Sequence, residues 1–334
     1  MSPDPPPPVQ EPVTVHGVAG GAVSGSARDG NPHTSCTSPP ANSTERHPPA
    51  ADRSTSYNQR GDGAFAEHRG NMGVGTARPA FARPQANGAG VPRRVSHFFT
   101  VDVEEYFQVS AFEPYIPRSQ WETMESRVEH GVDALLEVLA RFDISATFFV
   151  LGWIAERNRG VVERIQRSGH EVASHGWSHR RVLGQTPEEF RDSIRRSKDV
   201  LEAITGEPVL GFRAPSFSII PGMEWTFDIL LEEGYAYDSS LFPIRRSGYG
   251  YPGGLRDVHR LTRPSGVLVE APPATIRRFG RTYPAGGGAY FRLLPYQLIA
   301  SAVAEFERRG VPATFYIHPW EVDPEQPRIP FLSP

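Results

Sequence analysis

One short stretch of the chain reads His170-Glu171-Val172-Ala173-Ser174-His175-Gly176-Trp177-Ser178-His179. Its first half has the residue pattern of a β-strand, and the strand leads into two histidines four residues apart. Gly176 allows the backbone to turn, so that the His179 ring can return to the point that His175 occupies. Two imidazoles placed in this way can bind one metal ion. The spacing alone also fits ordinary surface or core histidines, so the rest of the chain has to decide between the two interpretations.

From Val95 onward, strand-like and helix-like segments alternate. Short apolar runs predict buried strands, and helical periodicity predicts helices between them, for example over 154–167 and 187–205. Six or seven such repeats predict an α/β fold with a mostly parallel sheet, either a barrel or a doubly wound sheet. Five chemically competent side chains follow the carboxyl ends of predicted strands: Asp102, His175, Arg213, Asp238 and His318. Because those ends converge on one face of a parallel barrel, this distribution favours a barrel.

The acidic residues after the first strand complete a candidate metal site. Asp102 and Glu104 point to the same side of an extended segment, so one can bind a metal while the other takes a proton from water. A carboxylate together with His175 and His179 makes a three-ligand set that leaves positions open for water and substrate. A metal in such a site lowers the pKa of its bound water to about 7. An exposed acidic turn is the alternative interpretation of this run.

Three further side chains extend this chemistry. His318, at the end of another predicted strand, can protonate a leaving group. Arg213 can pair with the base and hold it ionised. Asp238 can hold the His318 ring and raise its basicity. The alternative role for Arg213 and Asp238 is an ordinary, partly buried ion pair.

The first 92 residues differ in composition from the rest. They contain 14 Pro and 12 Gly but no Leu, Ile or Trp. Residues 1–92 are therefore expected to be disordered, and residues 95–334 to form the domain. A translation start near Val95 is the alternative explanation of this segment. The single cysteine, Cys36, lies within it, so disulfides are not expected to stabilise the domain.

Charge and hydropathy exclude two classes of partner. Arginine makes up 34 of the 35 basic residues, yet the net charge is −3, which argues against a nucleic-acid-binding domain. No apolar run reaches the length of a transmembrane segment, and Met1 is not followed by a signal-peptide pattern. The protein is therefore expected in the cytoplasm, and the sequence leaves its oligomeric state open.

Five successive motifs resemble those of polysaccharide deacetylases with NodB homology, a group of carbohydrate esterases. The motifs are Thr100-Val101-Asp102-Val103-Glu104-Glu105-Tyr106-Phe107, Ser174-His175-Gly176-Trp177-Ser178-His179, Phe212-Arg213-Ala214-Pro215-Ser216-Phe217, Tyr237-Asp238-Ser239-Ser240 and Tyr316-Ile317-His318-Pro319. The resemblance covers about Val95 to Arg328, and is closest to the exosortase-associated subfamily of bacterial exopolysaccharide gene clusters.

This resemblance implies a distorted (β/α) barrel of about seven parallel strands. It also implies an enzyme that removes N-acetyl groups from the amino sugars of a polysaccharide, with zinc or a similar divalent ion as cofactor. The roles it implies are Asp102 as the base, Glu104, His175 and His179 as metal ligands, Arg213 as the residue that positions the base, Asp238 as the residue that tunes His318, and His318 as the acid.

The sequence departs from the common pattern of the family in two places. Two adjacent aspartates are usual, whereas Asp102 is followed here by Glu104 and Glu105, so Glu105 could be the ligand and Glu104 the base. The pair of Asp102 and Glu104 is favoured, since alternate strand residues share a face. The chain also stops soon after His318, which leads us to expect a shortened C-terminus. Two other functions compete: a small-molecule amidohydrolase of the same fold, and a catalytically inactive glycan-binding protein.

Overall fold

The computed structural model describes residues 95–329. The predicted disordered segment 1–92 and the predicted C-terminal shortening lie outside those residues. The strands are β1 Phe98–Val103, β2 Thr147–Val150, β3 Glu171–Ser174, β4 Gly211–Phe212, β5 Tyr237–Asp238, β6 His259–Arg263, β7 Gly266–Glu270, β8 Thr275–Arg278, β9 Arg281–Pro284 and β10 Thr314–Ile317. The helices are α1 Val128–Arg141, α2 Gly152–Arg157, α3 Arg159–Arg167, α4 Pro187–Thr205, α5 Trp225–Glu232, α6 Ala289–Leu293 and α7 Tyr296–Arg309.

Eight strands form one sheet, in the order β10-β1-β2-β3-β4-β5-β7-β6. The first seven in this order pair in parallel, and β6 adds an antiparallel edge next to β7. Past β7, isolated parallel bridges join Pro273 to Thr314 and Gly287 to Tyr316, and so connect the chain back to β10. The prediction of a distorted barrel with about seven parallel strands is confirmed.

The strands nearest the middle of the sheet are buried on both faces. All four residues of β2 are buried, as expected for an apolar strand covered by helices on one side and by barrel interior on the other. The helices α1, α3, α4 and α5 pack their apolar residues into one core with these strands. The core therefore holds the strand ends in fixed positions, which is what a site built on those ends requires.

Local sequence signals account for the best-predicted helix, α4. Thr186 and Glu189 form a reciprocal capping box at its N-terminus, Pro187 occupies the first turn, and Gly206 ends the helix in a left-handed conformation. The helix predicted over 154–167 is instead two helices, α2 and α3, separated at Asn158.

Two hairpins were not predicted: β6 with β7, and β8 with β9. After β9, Gly287 lies so close to β10 that a Cβ atom on it would come within 1.7 Å of the Tyr316 carbonyl oxygen. Only glycine fits there, and this close approach holds the loop before α6 beside the end of β10. Within residues 95–329, no helix is long and apolar enough to cross a membrane.

Candidate active site

The carboxyl ends of five strands, β1, β3, β4, β5 and β10, bring the predicted residues to one side of the sheet. Asp102 lies in β1, and Glu104 is the first residue after β1. His175 is the first residue after β3. Gly176 then turns the chain with φ of 75°, and His179 itself adopts a left-handed φ of 50°. A non-glycine residue in that conformation carries backbone strain, and such strain is common where a side chain is held for function.

Glu104, His175 and His179 form a compact cluster. Each offers a ligand atom, and these atoms all lie within 4.8 Å of one another. His179 Nε2 is 2.7 Å from Glu104 Oε2. The Nδ1 atom of His175 is 2.8 Å from the Arg213 carbonyl oxygen, to which it donates, so the lone pair of the ring is on Nε2. A histidine whose other nitrogen donates to a carbonyl is the usual arrangement for a metal ligand.

The electrostatics of the cluster suit a cation. Burial lowers the pKa of His175 to about 4, so its imidazole is neutral at neutral pH. Burial alone would raise the pKa of Glu104, but the charges of His179 and His318 outweigh this effect and lower the pKa to about 2. Two imidazoles and one ionised carboxylate, all buried, fit the three-ligand set of a catalytic divalent-metal site.

Glu105 points to a different part of the molecule. Its carboxylate accepts hydrogen bonds from Ser126 Oγ at 2.5 Å and from the Arg127 amide at 2.9 Å. Glu105 also caps the 3-10 helix Tyr106–Gln108, through a reciprocal pair with Gln108. The backbone of Glu105 is still extended, with φ of −79° and ψ of 154°, so its side chain points to the opposite side from that of Glu104, and only Glu104 joins the histidines.

Asp102 is held by Arg213 in the interior of the barrel. The Arg213 guanidinium donates to Asp102 Oδ1 at 2.6 Å and to Thr100 Oγ1 at 2.7 Å. Its other nitrogens donate to the Ser239 hydroxyl and carbonyl oxygens at 2.8 and 3.2 Å. Phe149 packs against the guanidinium plane at 4.1 Å. Arg213 is fully buried, so these partners satisfy its donors and fix its orientation.

His318 faces the metal cluster from the end of β10. Its Nε2 atom lies 3.6 Å from Glu104 Oε1, and its ring stacks on Trp320 with centroids 4.7 Å apart. The Trp320 indole nitrogen donates to the same Glu104 oxygen at 3.1 Å. Burial disfavours the imidazolium, but the Glu104 charge and a hydrogen bond from the ring to Glu321 raise the pKa of His318 above its ordinary value.

The prediction that Asp238 holds the His318 ring is wrong. Glu321 does so: its Oε1 atom is 2.6 Å from His318 Nδ1 and also accepts the His318 amide at 3.1 Å. Glu321 is itself paired with Arg292 at 3.0 Å. The short 3-10 helix Pro319–Val322 returns this glutamate to the histidine that precedes it, three residues away. The capping pattern of a glutamate at the third helical position was the available sequence signal.

Asp238 instead belongs to a buried carboxyl pair behind Arg213. The register of β5 with β7 places Asp238 directly opposite Glu270, and both residues are fully buried. Ser240 Oγ donates to Asp238 at 2.5 Å, and the Leu241 amide donates to Glu270 at 3.1 Å. Burial and the adjacent Asp238 raise the pKa of Glu270 well above its ordinary value. These effects favour the protonated form of Glu270, which can share its proton with Asp238.

A cavity of about 620 Å³ opens onto this arrangement. Five of the predicted site residues line it: Asp102, Glu104, His175, His179 and His318. Arg213 and Asp238 do not line the cavity and lie behind its wall. Aromatic side chains, among them Phe217, Tyr290 and Trp320, form much of the remaining lining. The cavity thus combines a candidate base, a candidate cation site and a candidate acid with apolar rings suited to a sugar face.

Residues 119–221 match the sequence model of the family described as polysaccharide deacetylase, and this range includes His175, His179 and Arg213. This part of the chain is similar in sequence to polysaccharide deacetylases. Residues 239–334 match a second model, described as a domain of unknown function, DUF3473. His318 and Glu321, which holds its ring, lie in the part of the chain that this second model covers.

Curated relatives of the deacetylase domain carry similar names. A peptidoglycan deacetylase of Helicobacter pylori is 32% identical over 115 residues, which is 34% of this chain and 38% of that protein. The peptidoglycan-N-acetylglucosamine deacetylase PgdA of Listeria monocytogenes is 28% identical over 42% of this chain and 32% of its own length. The chain thus matches about a third of the length of these relatives.

A solved structure supports the fold. The crystal structure described as a putative polysaccharide deacetylase from Mycobacterium smegmatis superposes with a TM-score of 0.51 and 24% identity. It covers 71% of this chain and 82% of the other. The closer assignment to the exosortase-associated subfamily stays a prediction.

Proposed function

We propose that this protein is a metal-dependent hydrolase that removes N-acetyl groups from amino sugars of a bacterial exopolysaccharide or a related glycan. The observation that carries the proposal is the cavity in which Asp102, the Glu104-His175-His179 cluster and His318 meet. A protein that only bound glycans would have no need to bury three ionisable ligands and a paired base at one point.

The ligand set favours zinc among divalent ions. Zinc prefers imidazole nitrogen and carboxylate oxygen, and its catalytic sites use three protein ligands with a further position open. A divalent ion bound by Glu104, His175 and His179 would polarise the acetamide carbonyl and acidify a coordinated water. The hydrogen bond from His175 to the Arg213 carbonyl would keep that ring oriented towards the ion.

The residues around the cluster have complementary roles in amide hydrolysis. Asp102 accepts a proton from the attacking water, and the hydrogen bond from Arg213 holds its carboxylate in position. His318 delivers a proton to the departing amine nitrogen. The Glu104 charge and the hydrogen bond to Glu321 raise the pKa of the ring above its ordinary value, and so favour the protonated form that this step needs. Glu321 fixes the orientation of that ring.

The proposal is tested by acetate release and metal analysis on the purified, zinc-loaded protein. We expect acetate release from N-acetylglucosamine oligomers, together with about one zinc ion per chain. His179→Ala is expected to lose both, because it removes one of three ligands. His130, an exposed histidine in α1, provides the matched control, and His130→Ala is expected to retain both.

Each alternative has its own outcome. Acetate or ammonia release from small amides, with none from any oligomer, would replace the proposal with the amidohydrolase. Oligomer binding without turnover in the zinc-loaded protein would replace it with the glycan-binding protein. Unchanged zinc content in His179→Ala would refute the ligand assignment. The cytoplasmic location stays a prediction, which fractionation of expressing cells would check.

A further inference from the structure

A second cavity lies next to the catalytic one. Its volume is about 680 Å³, and Arg246 lines both cavities, so the two adjoin there. Arg245 and Arg281 line the second cavity as well, with Tyr283 beside them. No aspartate or glutamate is among its lining residues. We call this space the arginine cleft.

Two separate segments bring the three arginines together. Arg245 and Arg246 belong to the loop that follows β5, which a bridge between Arg246 and Tyr249 folds back on itself. Arg281 is the first residue of β9, in the hairpin that leads to the loop beside β10. Both segments lie within residues 239–334, outside the range that matches the polysaccharide deacetylase model. None of the proposed metal ligands, the base or the acid lines the cleft.

The positive charge of the cleft is not balanced by the protein itself. Among residues 95–329, no carboxylate lies within 4.0 Å of Arg245 or Arg281, whereas most other arginines there have one, as Arg127 and Arg191 do. The protein as a whole carries a net charge of −3, so two arginines without a carboxylate partner in one cleft do not reflect a generally basic surface. A concave site lined by one sign of charge concentrates ligands of the opposite sign.

We propose that the arginine cleft binds the carboxylate of an acidic sugar residue adjacent to the N-acetylated one, so that the preferred substrate is an acidic N-acetylated polysaccharide. Guanidinium groups match carboxylates with two parallel hydrogen bonds, and the Tyr283 ring offers a face for the sugar. Because the cleft adjoins the catalytic cavity at Arg246, a polymer with its N-acetyl group at the metal cluster reaches the cleft with a neighbouring residue. The inference rests on the proposed function.

The test compares three tetrasaccharides on the zinc-loaded enzyme. One is neutral, built of N-acetylglucosamine alone; one alternates N-acetylglucosamine with glucuronate; and one alternates it with N-acetylmuramate, whose carboxylate is a lactyl ether. Comparison of the two acidic substrates shows whether the preferred carboxylate belongs to a uronic acid or to a lactyl ether. We expect kcat/KM to be higher for one acidic substrate than for the neutral one, mainly through a lower KM, and the preference to shrink as ionic strength rises.

Arg245→Gln/Arg281→Gln removes two of the charges and leaves Arg246 in place. The acidic-to-neutral ratio of kcat/KM is expected to fall by roughly tenfold, about threefold for each exposed arginine. Arg245→Lys/Arg281→Lys keeps the charge without the planar fork and should recover part of the ratio. Arg260→Gln/Arg308→Gln is the matched control, because both arginines are exposed and line neither cavity; its ratio should equal that of the wild type.

Calorimetric binding of the same oligosaccharides separates this inference from the proposed function. If the neutral oligomer is deacetylated but neither acidic one is preferred, or if the glutamine variant keeps the wild-type ratio, the inference is wrong and the deacetylase stands. If no glycan releases acetate, the proposed function fails, and binding decides the inference. Roughly tenfold weaker binding of an acidic oligomer to the glutamine variant would then support the cleft, and equal binding would refute it.

Discussion

Replacing Arg213 by methionine tests whether the buried pair with Asp102 is held as the structure indicates. Arg213 is fully buried and donates four hydrogen bonds, and methionine keeps most of the stem that packs on Phe149. The Asp102 carboxylate would then remain in the interior without its cation. Removing one partner of a buried ion pair costs about 3–5 kcal/mol of unfolding free energy. For a domain of this size that corresponds to a Tm lower by about 10 °C.

Urea unfolding followed by tryptophan fluorescence, on metal-free protein, measures this loss. The double variant Asp102→Asn/Arg213→Met removes both charges and should recover about 2 kcal/mol relative to Arg213→Met alone, because no unpaired charge remains. Arg159→Gln, which breaks an exposed pair with Glu163 in α3, should cost less than about 0.5 kcal/mol. A loss below about 1 kcal/mol in Arg213→Met, or a double variant no more stable than it, would refute the reasoning.

Three further predictions concern single carboxyl groups. Glu104→Gln should abolish stoichiometric zinc binding, whereas Glu105→Gln should keep it and lose only about 1 kcal/mol of stability through the cap; equal zinc loss in both would contradict the assigned ligand. Glu321→Gln should lower kcat by about 10–100-fold with little change in KM, since Glu321 orients the acid His318 without lining the catalytic cavity; a change confined to KM would argue against that role. The pKa of Glu270 is higher in the folded protein than in the unfolded chain. The resulting stabilisation is therefore complete at pH values below the unfolded pKa, and it is lost as the pH rises through the folded pKa. Each pKa unit of difference is worth about 1.4 kcal/mol. Glu270→Gln should therefore unfold with a flatter dependence on pH above pH 5 than the wild type, and identical slopes would show that Glu270 is ionised in the folded protein.

The alternation of strands and helices, and most of the strand ends, could be predicted because they depend on local patterns. The caps of α4, from Thr186 to Gly206, use only neighbouring residues. The turn at Gly176 likewise depends on one residue that tolerates a positive φ. The spacing of His175 and His179 combines with these features, and so predicts the metal pair before any long-range contact is known.

Only the tertiary structure shows which carboxyl group contacts which histidine or other partner. Glu104 and Glu105 are chemically alike. The choice between them depends on which side chain faces the histidines and on Ser126, 21 residues further along the chain, whose hydroxyl donates to Glu105. Asp238 was assigned to His318 because both follow strand ends, yet strand pairing sets it against Glu270, 32 residues further along the chain. A shift of one residue in register turns a side chain to the opposite face of the sheet. Two side chains that both follow strand ends at the rim of a barrel therefore need not contact each other.

The sequence by itself thus determined the fold class, the edge of the sheet on which the site is built, and the two histidines of the metal cluster. The arginine cleft and the pairing of Glu321 with His318 arose only from the folded chain. Composition and periodicity depend only on residues that are close together in the sequence. The balance of charge in a cavity depends on segments that folding brings together from different parts of the chain. In the sequence, nothing distinguishes Arg245 and Arg281 from the other arginines, which number 34 in all. They line one cavity because the loop after β5 lies beside the hairpin of β8 and β9.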